Sequence, residues 1–324
     1  MRFAATLFTL AAALASPAAA QNFPNRPVTV VVPFAPGGNT DVLGRTITEH
    51  MSKTLGQKFV IENVAGAGGT TGALRVARSK PDGYTILVGQ VGTHGASVGL
   101  FPNLAYDPVA DFEHISQLSD TPVGVLARKD FPARNFQEFV AELKANPQKY
   151  TSGHGGLGAT GHASCVFLSN LIDVHPPMVA YPGSGPTLND LLGGHFDFMC
   201  DQIPHLVQHV RLGNLKAYAL AMPQRSPALP DVPTTIEVGL PQFQASGWNA
   251  LFAPKGTPAD IVAVLNKAVN AALDDPAIRA RYDDMGALIP SAAARTSPGL
   301  AAFVAAEIAK WTPIVRASVN KPAK

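Results

Sequence analysis

Residues 29–41 read TVVVPFAPGGNTD, and the class of the fold follows from them. With Val28 in front, five β-favouring residues run unbroken to Val32. A run without polar alternation marks a strand buried on both faces, as in a parallel sheet. Pro33 and Pro36 end it, and Gly37 and Gly38 let the backbone turn where a Cβ would clash. Asn39, Thr40 and Asp41 are helix-capping types, and a periodic apolar stripe follows at Val42, Leu43, Ile47, Met51 and Leu55. The order is strand, glycine turn, helix start. A helix N-terminus carries unpaired N–H groups and a partial positive charge, so it attracts anions. No Lys or Arg lies in the turn, which suits a carboxylate better than a polyphosphate. The same residues also fit a plain first βα turn of an α/β domain.

The pattern recurs outward. Residues 58–62 (KFVIE) read as a second strand, followed by the glycine-rich turn 66–72 and a short helix over 73–79. Pro81-Asp82-Gly83 is a turn, 84–88 a third strand, and 89–95 a polar loop holding Gln90 and Thr93. This is βαβαβ with right-handed crossovers. Loops 34–41, 64–72 and 89–95 leave the same strand ends, the edge where open α/β sheets bind ligands.

The middle of the chain repeats this. A strand is expected over 122–127, then a capping box at Asn135 and Glu138 opening a helix to about Ala145. Ser152 leads into a second glycine-rich strand-to-helix turn, 153–162, with Ala159, Thr160 and His162; its helix runs through Cys165. A strand over 178–181 precedes Gly183 and Ser184 and a helix to Leu192. Another over 196–200 precedes Asp201 and a helix near 205–210, and 215–221 is a further strand. Residues 248–253 return to strand. Thr257 to Asp260 read as a capping box with Pro258 at its first helical position, and Ser297-Pro298 opens a last helix. These final helices are expected to cover the first sheet. The chain then crosses between two α/β domains near 123 and 247, giving 21–122 plus 248–324, and 123–247. Each would be a mostly parallel sheet with flanking helices.

The first 20 residues, MRFAATLFTLAAALASPAAA, have one Arg, an apolar run and an A-x-A site, the form of a secretory leader cleaved after Ala20. The run is too short to span a bilayer. Losing Arg2, its one charged residue, lowers the formal net charge from +2 to +1. With 15% charged residues, the chain has no nucleic-acid footprint. Export exposes Cys165 and Cys200 to an oxidising compartment, where a pair can bridge; two buried thiols are the other reading.

Catalytic signatures are weak. Gly66, Gly68 and Gly72 make a loosened dinucleotide pattern with Thr71 where glycine is needed and no acid at the next strand end. No Gly-Lys-Ser/Thr follows a glycine run. Ser184 lacks the outer glycines of a nucleophile elbow. His205 and His209 stand four apart, but HLVQH has no Glu for a metalloprotease helix. No metal or cofactor is expected. His162 is a cap or surface histidine, or a donor to a ligand. Phe34 and Tyr181 each read as core packing or as cleft-lining rings.

The residues Val32-Pro33-Phe34-Ala35-Pro36-Gly37-Gly38, with Asp41, Arg45 and Leu55-Gly56-Gln57, resemble the tripartite tricarboxylate transporter substrate-binding proteins, the Bordetella-uptake-gene-like family. So do Ile61-Glu62-Asn63, Gly66-Ala67-Gly68-Gly69, Pro81-Asp82-Gly83-Tyr84-Thr85, Tyr181-x-Gly183-Ser184, Leu191-Leu192-Gly193-Gly194, Leu229-Pro230-x-x-Pro233-Thr234, Trp248, Ala253-Pro254-x-Gly256-Thr257-Pro258 and Trp311. The resemblance spans essentially the whole mature chain. It implies a Venus-flytrap clamshell of the periplasmic-binding type II kind that captures a small organic acid. Delivery would be to a permease of one large and one small subunit, by a monomeric receptor in the periplasm. The implied ligand set is Phe34, Ala35, Gly37, Gly38, Asn39, Thr40, Asp41, Gln90, Thr93, Ser152, Ala159, Thr160, His162, Tyr181, Gly183, Ser184 and Asp201. It also points to a subgroup with Cys at both of the positions of Cys165 and Cys200, which are expected to bridge. Pro182 stands where the family usually has Arg, so a cation is missing there. The alternative is an exported α/β hydrolase acting on a small ester or amide.

Overall fold

A computed structural model describes residues 23–319, and the expected leader with its cleavage site lies outside the described residues. The chain folds as β1 (Val28–Val32), α1 (Asn39–Leu55), β2 (Phe59–Asn63), α2 (Thr70–Ala77), β3 (Thr85–Gln90), α3 (Val91–His94), α4 (Ser97–Leu100) and β4 (Phe112–Arg128). There follow α5 (Phe136–Ala145), β5 (Ser152–His154), α6 (Thr160–Ile172), β6 (Met178–Ala180), α7 (Ser184–Leu192), β7 (Phe198–Gln202), α8 (Val207–Arg211) and β8 (Leu215–Leu220). The last elements are β9 (Ser246–Pro254), α9 (Ala259–Asp274), α10 (Pro276–Met285) and α11 (Ser297–Val319).

The strand order is β2-β1-β3-β9-β4-β7-β5-β6, with β8 beside β4. β1 pairs parallel with β2 and β3, and β5 pairs parallel with β6 and β7. The pairs made by β4 and β9 are antiparallel. β4 belongs to two lobes. Its residues 112–122 pair with β9, and 123–128 pair with β7 and β8. Pro122 stands opposite Ser246, so the chain leaves the first lobe and re-enters it side by side.

The valine run of β1 is explained by burial on both faces. Val28, Val30 and Val32 pack with Leu43, Ile47, Leu265 and Val269 from α1 and α9. Val31 faces the opposite core with Leu87, Trp248, Leu300 and Trp311. Each such valine contributes about 1.5–3 kcal/mol relative to exposure. The indoles of Trp248 and Trp311 donate to one oxygen of the buried Glu307, at 2.7 and 2.8 Å, which pins α11 to β9. In the second lobe, Cys165 of α6 is disulfide-bonded to Cys200 of β7, with Cα atoms 5.2 Å apart.

Several local expectations change. β4 begins at Phe112, ten residues before the expected strand, because its buried Ser116, Gln117, Ser119 and Thr121 hide the strand pattern. α2 starts at Thr70 rather than 73. The box at Thr257 does not form: Pro258 is the N-cap, and the Thr257 hydroxyl donates to Pro254 O at 2.8 Å. At α5 only half the box forms. Asn135 accepts from Glu138 N, but the Glu138 carboxylate accepts from Arg134 N instead. The helix near 205–210 is a 3₁₀ turn over Ile203–His205 followed by α8.

Candidate ligand site between the lobes

Glycine turns bring three helix N-termini to one cleft. α1 begins after Gly38, α6 after Ala159 and α7 after Gly183, and no side chain caps any of them. The first N–H groups of a helix have no intrahelical partner, so these ends offer backbone donors. They meet at a pocket lined by Phe34, Ala35, Gly38, Asn39, Thr40, Asp41, Gln90, Ala159, Thr160, Ser184, Asp201 and Gln202, with an empty volume of about 290 Å³.

The lobes touch across this pocket. Ala35 N donates to Pro182 O at 3.1 Å, Asn39 Nδ2 to Gln202 Oε1 at 2.7 Å, and Thr160 Oγ1 to Gln90 Oε1 at 3.1 Å. The arrangement is a closed clamshell. Gln90 also caps α3, accepting from Gly92 N at 2.6 Å.

Among the described residues, the pocket wall has no Lys, Arg or His; its ionisable groups are two acids. Asp41 is tied away from the opening. Its carboxylate accepts from Arg45, from Asn63 Nδ2 at 2.9 Å and from Gly37 N at 3.0 Å. Burial pushes its pKa up, but the Arg45, Asn63 and Gly37 bonds outweigh this and hold it below the usual value. Asp201 behaves oppositely. Burial pushes it up to about 6, against the lowering effect of bonds from the Ser184 hydroxyl (2.6 Å) and Gln202 N (2.8 Å). Near neutrality it gains or loses its charge with small changes of environment.

The remaining sequence-derived candidates lie outside this wall. Gly37 gives its N–H to Asp41. Thr93 is fully buried and exchanges hydrogen bonds with the Gln90 backbone. Ser152 is buried on β5. His162 accepts from Gly158 N and packs on His154, and burial, aided by His154, lowers it to about 3, so it is neutral. Gly183 lets the second lobe approach: a Cβ there would lie 2.8 Å from Ala35 N. Tyr181 faces a neighbouring space, and burial, together with the Asp190 carboxylate, raises its pKa to about 12. Gln202 was not on the expected list, although it directly follows Asp201 at the end of a strand; its amide oxygen also accepts from Thr121 Oγ1 at 2.6 Å.

The hydrolase alternative fails here. The Ser184 hydroxyl is bonded to Asp201, and no imidazole lines the pocket among the described residues to act as its base. No group of three or more His, Cys, Asp or Glu placed to hold a metal occurs among the described residues. No described helix is long and apolar enough to cross a membrane.

Two α/β lobes joined by paired strands, closing on a cleft of helix ends, define a solute-binding receptor of the periplasmic-binding-protein kind. Residues 43–319 match the TctC pattern, the tripartite tricarboxylate transporter family receptor, and the chain belongs to that family. It is similar to MatC of Rhodopseudomonas palustris, solved with bound malate: 49% identity, TM-score 0.87, covering 90% of this chain and all of that one. The periplasmic binding protein BugD is 38% identical with TM-score 0.88, over 92% and 99% of the two chains. R. palustris Rpa4515, solved with adipate, is 31% identical with TM-score 0.87, over 92% and 98%.

Proposed function

We propose that the cleft captures a small organic acid by its carboxylate, with the chain acting as a monomeric receptor in the periplasm after removal of residues 1–20. It delivers the acid to a membrane permease of one large and one small subunit. The clamshell's domains are 21–122 plus 248–324, and 123–247. The observation that carries this reading is the convergence of three uncapped helix N-termini on a pocket without a cationic wall residue. Such ends hold a carboxylate by backbone donors and helix-end charge. Family membership and the malate and adipate held by relatives support the ligand class. Asn39 adds an acceptor, since its Oδ1 is buried without a partner, and this suits an acid that also carries a hydroxyl. A ligand touching both lobes stabilises the closed form over an open one, which is the differential affinity that closure requires.

The test is calorimetry and thermal shift with malate, adipate and further small carboxylic acids. At least one acid is expected to bind at a single site and raise the melting temperature. No binding by any of them removes the reading.

Protonation gives a second expected result. Asp201, raised to about 6 by burial, is neutral below that pH and charged above it. A bound carboxylate in the same pocket disfavours a second negative charge and raises Asp201 further. Affinity for malate is therefore highest near pH 6 and falls as pH rises from 6 to 8, by up to tenfold per unit. Binding at pH 7.5 takes up a proton. Calorimetry in two buffers of different ionisation enthalpy measures that uptake, and Asp201→Asn should abolish it. Zero uptake by the wild-type protein contradicts the assignment.

A further inference from the structure

Phe34 stands two residues past the end of β1 and is 6% exposed. It stands in the wall of two spaces at once. One is the polar pocket. The other lies between the same two lobes and has an empty volume of about 560 Å³, part of it open to solvent. Its walls are apolar rings, Leu157 and bare backbone. Gly68, Gly69 and Gly156 have φ of 65°, 96° and 112°, which side-chain-bearing residues rarely adopt. A Cβ on Gly69 would lie 2.8 Å from Phe34 Cζ, and one on Gly68 would strike the Leu157 carbonyl. The glycines leave the space unfilled, and the Phe34 ring rests against Gly69. Tyr181 lines the same space. The bridge from Ala35 N to Pro182 O runs alongside Phe34, Ala35 lining the polar pocket and Pro182 the apolar one.

We infer that Phe34 is a specificity-determining partition between the anion pocket and an apolar tail subsite. The inference rests on the reading of the polar pocket as a carboxylate site. With the ring in place, the cleft accepts acids short enough to end at it. The chamber behind is suited to the hydrocarbon tail of a longer monocarboxylic acid, since it offers apolar surface and no cation for a second carboxylate. Removing the ring joins the two spaces. Each methylene then buried is worth about fourfold in affinity, so a tail several carbons longer gains tenfold or more.

The experiment measures malate, butanoate and octanoate binding by calorimetry. The proteins are wild type, Phe34→Ala and the double variant Phe34→Ala/Leu157→Trp, each checked for folding by circular dichroism. Octanoate should bind Phe34→Ala at least tenfold tighter than wild type, with butanoate changed less than about threefold. The indole in the double variant fills the chamber and should erase the gain. Phe34→Leu, a milder change, should shift octanoate in the same direction and stands in if the alanine variant unfolds. An octanoate gain no larger than that of butanoate overturns the partition, and a gain that survives Leu157→Trp overturns the chamber as the tail's seat. If none of the three acids binds any of the proteins, the carboxylate reading itself has failed and the partition falls with it.

Discussion

Gly38→Asp is expected to weaken binding of whichever acid the wild-type protein takes by at least a hundredfold, in a protein that remains folded. Gly38 is the N-cap of α1, with φ −82° and ψ 172°, a conformation open to any residue. Aspartate is among the best N-cap residues, its carboxylate accepting from the N–H groups of the first helical turn. Those are the groups the ligand carboxylate needs, so the new side chain acts as a tethered competitor and adds like-charge repulsion. It also hinders closure: a Cβ at position 38 lies 3.1 Å from Ser184 Cβ and 3.3 Å from Gly185 N. Fold stability should be unchanged or raised by a few tenths of a kcal/mol, the difference between Gly and Asp at an N-cap. Gly38→Ala separates the two effects, since it brings the contact without the charge and should lose much less affinity. Calorimetry and melting curves on both variants decide it. A folded Gly38→Asp protein that binds the acid within tenfold of wild type would place the carboxylate elsewhere.

Breaking the Cys165–Cys200 bridge is expected to cost about 3–4 kcal/mol, from chain entropy for a loop of 35 residues. Both cysteines are buried, so alanine is the right replacement; serine would bury an unpaired hydroxyl. The bridge ties α6, whose N-terminus lines the pocket, to β7, in which Asp201 directly follows Cys200. Affinity for the bound acid should therefore fall along with stability. Denaturant unfolding of Cys165→Ala/Cys200→Ala, with wild type in reductant as a second arm, measures the loss. A stability change below about 1 kcal/mol would show that the bridge does not constrain the unfolded chain as the loop-entropy account requires.

The parts of this site that are legible in the sequence are local. The valine run before Pro33 announces a strand buried on both faces because every position is apolar. The turns at Gly37-Gly38, 153–162 and Gly183 announce helix starts because glycine and the residue types beside it act within a few positions. Which donors remain for a ligand is a tertiary matter. Ser184 and Thr160 look like hydroxyl donors in the sequence, but in the fold their protons go to Asp201 and Gln90. Tyr181 lines the neighbouring space rather than the pocket. The polar first half of β4 is hidden for a related reason. Ser119 accepts from Asn249 across 130 residues of sequence, so its burial is compensated by a partner no local pattern reveals. Pro182, read as a missing cation, contributes its carbonyl to hold the lobes together.

The side-by-side crossing of β4 and β9 has a consequence for the order in which the protein acquires structure. In the first lobe, the first half of β4 lacks its partner until β9 arrives, and the Asn249 to Ser119 bond closes a loop of 130 residues. α9 and α11, which cover its cores, come later still. A chain emerging from its N-terminus cannot complete that lobe until nearly all of it is available, and long-range strand pairing of this kind is intrinsically slow. The second lobe is contiguous apart from the strand it shares, and its 35-residue disulfide loop lies wholly inside it. The topology therefore delays completion of the N-terminal fold until the helices that close it have been made.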